Sequence, residues 1–138
     1  FAEALVCLAL NVYHEARDQP FIGQVAVAQV VMNRVHDDRY PDDVCEVVKQ
    51  GPTYSWKPDF PVRHRCQFSW YCDGKSDKTP DENAWQQALM IALGVHSGEL
   101  DDFVEGATHY HATYVLPEWA ESKVPVVQIG EHVFYRWD

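Results

Sequence analysis

In Asn11-Val12-Tyr13-His14-Glu15-Ala16-Arg17 a carboxylic acid sits between an imidazole and a guanidinium, at the end of an apolar stretch. At about 100° per residue, Leu5, Leu8 and Val12 form one helical stripe and Glu15 falls on it, so the acid faces the prospective core. An ionised carboxylate on such a face needs a partner. Either Arg17 or a hydrogen-bond network neutralises Glu15 as a structural charge, or Glu15 borders a cleft and works as an acid. Aromatic walls around it would raise its pKa, as general acid catalysis requires. Two segments can supply them, Gln67-Phe68-Ser69-Trp70-Tyr71 and His109-Tyr110-His111.

Two other chemistries compete. His109 and His111 share a strand face, and with His14 and Glu15 they invite a zinc hydrolase in which Glu15 is the base. Helix phase opposes this, because His14 falls nearly opposite the Leu5 stripe and away from Glu15. The second is sugar binding. Gln67, Phe68, Ser69, Trp70 and Tyr71, between Cys66 and Cys72, combine aromatic faces with amide and hydroxyl groups, as a pyranose platform needs, although hydrophobic anchoring of a long loop reads equally well. Trp85 and Trp137 read as structural; Trp119, after Pro117, fits either role.

Four cysteines, Cys7, Cys45, Cys66 and Cys72, form an even set. Disulfides are expected, with Cys66 and Cys72 closing a short loop and Cys7 with Cys45 as the second pair. Reduced buried thiols are the alternative, and a structural zinc site lacks the two-to-four-residue gaps it needs.

The elements that must position these groups follow from periodicity. The segment 1–17 is an amphipathic helix, and "FIGQVAVAQVVMNRVHD" is apolar on nearly every side, as in a helix buried mid-domain. "PDDVCEVVKQG" carries the charge and cap signals of a short helix, and residues 52–65 read as loop. Thr79 and Glu82 form a capping box with Pro80 at the first helical position, opening a helix whose inner face is Trp85, Ala88, Leu89, Ala92 and His96. "ATHYHAT" and "PVVQIGEHVFYRW" read as strands, the second folding at Gly130-Glu131 into a hairpin. The expected fold class is α+β: four helices, then a small antiparallel sheet, in a single domain over 1–138.

Composition narrows the function. The 138 residues are 46% hydrophobic, enough for one sizeable core. A net charge of -10 with 11 scattered basic residues argues against nucleic acid as a partner. The longest apolar run, "VAVAQVVM", is far short of a bilayer span. The first residue is Phe, so an N-terminal piece is expected to be missing.

The segment "YHEAR" running on into "GQVAVA" and "NRV", then "CQFSWYCDG", "GATHYHA" and the closing "IGEHVFY", resembles the SleB-type cell-wall hydrolases, which include spore-cortex-lytic enzymes and relatives in other bacteria and phages. The resemblance spans nearly the whole chain. It implies a compact, lysozyme-superfamily helical fold with a small sheet, and lytic transglycosylase activity on peptidoglycan glycan strands. The family's catalytic glutamate carries over onto Glu15, and its cleft residues onto Phe68, Ser69 and Tyr110, with Gln67 and His111 beside them. Where spore enzymes have a second aromatic after the tyrosine, this chain has His111.

A hydrolysing lysozyme usually needs two carboxylates. None is evidently placed beside Glu15, although folding can bring Glu105 or Glu118 close. A lytic transglycosylase needs one. No metal or cofactor is implied, and a monomer in the periplasm, envelope or extracellular space is expected, a phage endolysin included. Two readings stay open beside this one: a zinc-dependent amidase or peptidase using His109 and His111, and a peptidoglycan-binding module without chemistry.

Overall fold

The computed structural model describes residues 2–138. Helices α1 (Ala2–Ala16), α2 (Phe21–Val35), α3 (Val44–Val48) and α4 (Glu82–His96) precede strands β3 (His109–Ala112), β4 (Val124–Ile129) and β5 (His132–Arg136). This is the α+β order expected from the periodicity. Helix α2 separates two cores: Val25, Ala28 and Val31 pack with Leu8 and Val12 of α1, Val47 of α3 and Ile91 of α4. Its other side, Ala26, Val27 and Val30, packs with Ala16, Val104, Ala107 and Phe134 beneath the sheet. A helix between two cores must be apolar all round, and each buried valine contributes about 1.5–3 kcal/mol relative to exposure.

Three expectations need correction. Residues 52–65 are not all loop, because β1 (Thr53–Tyr54) and β2 (Lys57–Pro61) pair as an antiparallel hairpin. Helix α4 starts at Glu82, and its cap is the Asp81 carboxylate, which accepts from the Ala84 N–H at 3.1 Å, rather than Thr79. Asp81 is held there by donating its own N–H to the Tyr13 hydroxyl at 3.0 Å, a contact that spacing cannot show. The inner face of α4 is also rotated: Ala88, Ile91, Ala92 and Val95 are buried, with Trp85 and Leu89 half-buried at its margin.

The sheet order is β3-β5-β4, all antiparallel. Gly130 turns β4 into β5 with φ of 57°, and a Cβ there would lie 2.5 Å from Gln19 Oε1. That oxygen accepts the Glu131 N–H at 2.9 Å, so the hairpin tip docks on the connection leaving α1. Both disulfides are formed: Cys7–Cys45 ties α1 to α3, and Cys66–Cys72 closes its loop. This loop lies against Gly51, where a Cβ would come within 2.9 Å of Cys66 Cα. Among the described residues no helix is long and apolar enough to cross a membrane.

Candidate active site

Helix α1 delivers Glu15 one residue before its end, on the stripe of Leu8 and Val12. Its partner is not Arg17, which is exposed over the Tyr13 ring at 4.8 Å. The partner comes from β3, 95 residues on: the Tyr110 hydroxyl donates to Glu15 Oε1. Strand pairing sets Tyr110 opposite Phe134, and its ring packs on Phe134 at 5.5 Å and His132 at 5.0 Å. Helix α2 fixes the entry to the strand, with Asn33 Nδ2 donating to the Ala107 carbonyl at 3.0 Å and Arg34 Nε to the Thr108 carbonyl at 2.7 Å.

The carboxyl group of Glu15 is surrounded by protein, yet the residue keeps some accessible surface. Burial raises its pKa above 4.5, while the Tyr110 hydrogen bond and the Arg34 charge pull the other way. Burial, with the neighbouring Glu15 charge, also keeps Tyr110 protonated well above its ordinary range. The pair therefore combines an acid shifted toward its neutral form with a phenol that remains a donor. That is the state a general acid needs before it acts.

The disulfide loop supplies one wall. Trp70 Nε1 donates to Asn11 Oδ1 at 2.8 Å, and its ring stacks on His14 at 4.7 Å. Phe68 is buried, 5.0 Å from the Arg34 guanidinium, so its ring supports the site from beneath and offers no open face. Gln67 and Ser69, between and beside these anchors, are exposed. Tyr13, His14, Arg17 and Trp70 also line a cleft of about 510 Å³ with Lys75 and Asp77, which Glu15 itself does not line.

His111 is not brought to Glu15. Strand alternation turns it to the face opposite Tyr110, where its Nε2 lies 2.8 Å from the Tyr135 hydroxyl and its ring packs against Trp119. His109 shares that face, as expected, between Trp119 and Trp137. Burial, with the charges of Arg34, Lys123 and Arg39, depresses its pKa to about 4. Among the described residues no three His, Cys, Asp or Glu side chains converge as a metal site.

Arg34 and His132 were not anticipated. Arg34 is 5% exposed and His132 8%, and Arg34 Nη1 and His132 Nδ1 are buried without hydrogen-bond partners. The signal for Arg34 was present, since it follows Val30 and Val31 at helical spacing and so falls on a buried face.

A helix-borne acid met by a strand tyrosine, beneath a disulfide-closed aromatic loop, defines a lysozyme-like cell-wall domain. The chain belongs to the Cell Wall Hydrolase family, whose family model matches residues 18–135. Arg34, the 66–72 loop and Tyr110 lie inside the matched segment, and Glu15 stands just before it. Among similar proteins, a spore cortex-lytic enzyme of Halalkalibacterium halodurans is 34% identical over 128 residues, 92% of this chain and 33% of its own length. A spore cortex-lytic enzyme of Bacillus subtilis is 28% identical over 127 residues, again 92% of this chain and 35% of its own length. The chain thus spans about a third of these relatives. Among solved structures, the catalytic domain of the Bacillus cereus SleB protein superposes with a TM-score of 0.68 at 27% identity, covering 99% of this chain and 91% of that one. The catalytic domain of the germination-specific lytic transglycosylase SleB of Bacillus anthracis gives 0.66 at 27%, covering 99% and 96%. The resemblance drawn from the motifs is borne out, and the fold is that of these lysozyme-like domains.

Proposed function

We propose that the chain is a single catalytic domain that cleaves peptidoglycan as a lytic transglycosylase, acting on the β-1,4 bond between MurNAc and GlcNAc, with Glu15 as acid and then base. The observation that carries this reading is the company Glu15 keeps. Among the described residues, the groups whose hydrogen bonds and charges shift it are Tyr110 and Arg34, neither of them a carboxylate, while the charges of Asp18 and Glu131 bear on His132 beside Tyr110. Glu105 and Glu118 are exposed at the surface. Two-carboxylate hydrolysis needs its acids about 5 Å apart for retention or about 6.5–9.5 Å for inversion. The Bacillus anthracis relative is a lytic transglycosylase, which agrees with this reading.

In the first step neutral Glu15 gives its proton to the glycosidic oxygen as the bond to the muramoyl C1 breaks. The sugar's N-acetyl group supports the electron-poor C1. The Glu15 carboxylate then takes the proton of the muramoyl 6-hydroxyl while its oxygen bonds C1, closing a 1,6-anhydro ring and restoring neutral Glu15. No water is consumed, and the tethered hydroxyl outcompetes solvent by proximity. Tyr110 orients the acid throughout, and Ser69, Gln67 and Trp70 border the path of the glycan strand. Glycan strands of peptidoglycan are the partner, and the two disulfides suit an envelope or extracellular site of action.

Digestion of purified sacculi in heavy-oxygen water, with mass spectrometry of the released muropeptides, tests the mechanism. Unlabelled anhydro ends are expected. Label at new muramic-acid reducing ends would mean hydrolysis and overturn it.

A further inference from the structure

We propose that Arg34 is a positioning residue for this acid: one buried guanidinium that locks the aromatic loop and strand β3 in register with Glu15 and steadies the negative charge left when Glu15 gives up its proton. The proposal rests on Glu15 being the acid. Its first support is geometric. Arg34 Nε–H donates to the Thr108 carbonyl, two residues before Tyr110, while the guanidinium sits 5.0 Å from each of two rings, Phe68 of the disulfide loop and Tyr40 after α2. One side chain thereby touches the wall that carries Ser69 and Trp70 and the strand that carries Tyr110.

The second support is the unusual cost of the arrangement. A cation this buried normally needs a bonded carboxylate, and removing it from water without one is expensive. Among the described residues Arg34 forms no ion pair within 4.0 Å, and its Nη1 has no hydrogen-bond partner. The groups whose charges act on it are Tyr40 from the turn after α2, Tyr110 from β3 and Glu15 from α1, and its own charge is felt by His109. Of these, Glu15 changes charge during the proposed reaction. A fixed cation does little for neutral Glu15 and attracts the anion, so its help grows as the proton leaves, which is where catalysis benefits. Lysine would keep the charge but lose the planar fork that stacks and bonds at once.

Arg34→Met and Arg34→Lys, checked for folding by thermal unfolding, should be assayed on sacculi across pH. For Arg34→Met, kcat should fall roughly 10²-fold, as for loss of a donor to developing charge, with KM little changed. The basic limb of kcat/KM should move to higher pH, because the cation that favours ionised Glu15 is gone. Arg34→Lys should leave that limb in place and recover part of kcat. A folded Arg34→Met variant with the parental limb would overturn the proposal, since a purely structural role moves no limb. Should that variant fail to fold, NMR of the unaltered protein decides: the Arg34 Nε resonance should step at the midpoint of the Glu15 carboxyl titration, and the step should vanish in Glu15→Gln. A flat Arg34 resonance would overturn the coupling. Undiminished activity in Glu15→Gln would instead sink the acid assignment, whatever the Arg34 spectrum shows.

Discussion

In the proposed reaction Glu15 starts neutral and is charged halfway through, and its surroundings bear on both states. Burial favours the neutral form, while Tyr110 and Arg34 keep the ionised form within reach. Glu15→Gln keeps the shape and an acceptor for Tyr110 but cannot exchange a proton. Its turnover on sacculi should drop by at least roughly 10²-fold, the low end for general acid-base catalysis. Tyr110→Phe removes a hydrogen bond that favours the carboxylate, so the Glu15 pKa rises further. Since activity is lost as pH rises through that pKa, the basic limb of kcat/KM should shift to higher pH while kcat falls. An unshifted limb would show that the phenol does not tune the acid. Chelation tests the competing histidine chemistry: activity should survive exhaustive EDTA treatment, and loss reversed by zinc would return His109 and His111 to the reaction. Glu15 was legible because a charge on an apolar stripe is conspicuous. Tyr110, 95 residues away, was read only as part of an aromatic wall and entered the cleft by resemblance, since no spacing rule links a helix end to a distant strand.

The elements differ in how openly the chain declares them. Helices α1 and α2 and the β4–β5 hairpin announce themselves through long periodic runs and a turn glycine. The β1–β2 hairpin does not, because its side chains are mostly in solvent, with Trp56 75% and Phe60 50% exposed, so no inside-outside alternation exists to be read. Helix α4 began later than its capping box suggested because a tertiary contact from Tyr13 settles which cap forms. His111 was set beside Tyr110 by the family resemblance, yet in a strand neighbours face opposite ways. The disulfides also act at this scale. In the chain-entropy model the Cys7–Cys45 link, spanning 38 residues, contributes about 4 kcal/mol, and the Cys66–Cys72 link, spanning 6, about 2. Replacing Cys7 and Cys45 by Ser should therefore lower the unfolding midpoint more than replacing Cys66 and Cys72. The second pair, which holds the wall beside Glu15, should cost more activity than stability. Thermal unfolding and sacculus assays on the two double variants decide the ranking.

Across the whole molecule, the proposed site draws on the start, middle and end of the chain: Glu15 from α1, Arg34 from α2, Phe68 and Trp70 from the disulfide loop and Tyr110 from β3. In the three-stranded sheet β3 has a single neighbour, β5, which spans His132–Arg136. The tip joining β4 to β5 bonds back to Gln19, a few residues beyond Glu15. A growing chain therefore makes its acid first and long afterwards the strand that braces the tyrosine. Until residues 132–136 emerge, β3 has nothing to pair with, and Glu15 sits on a helix whose electrostatic setting does not yet exist. Under the proposed function, copies that lack residues 132–136 should release no muropeptides from sacculi, whereas the intact chain should.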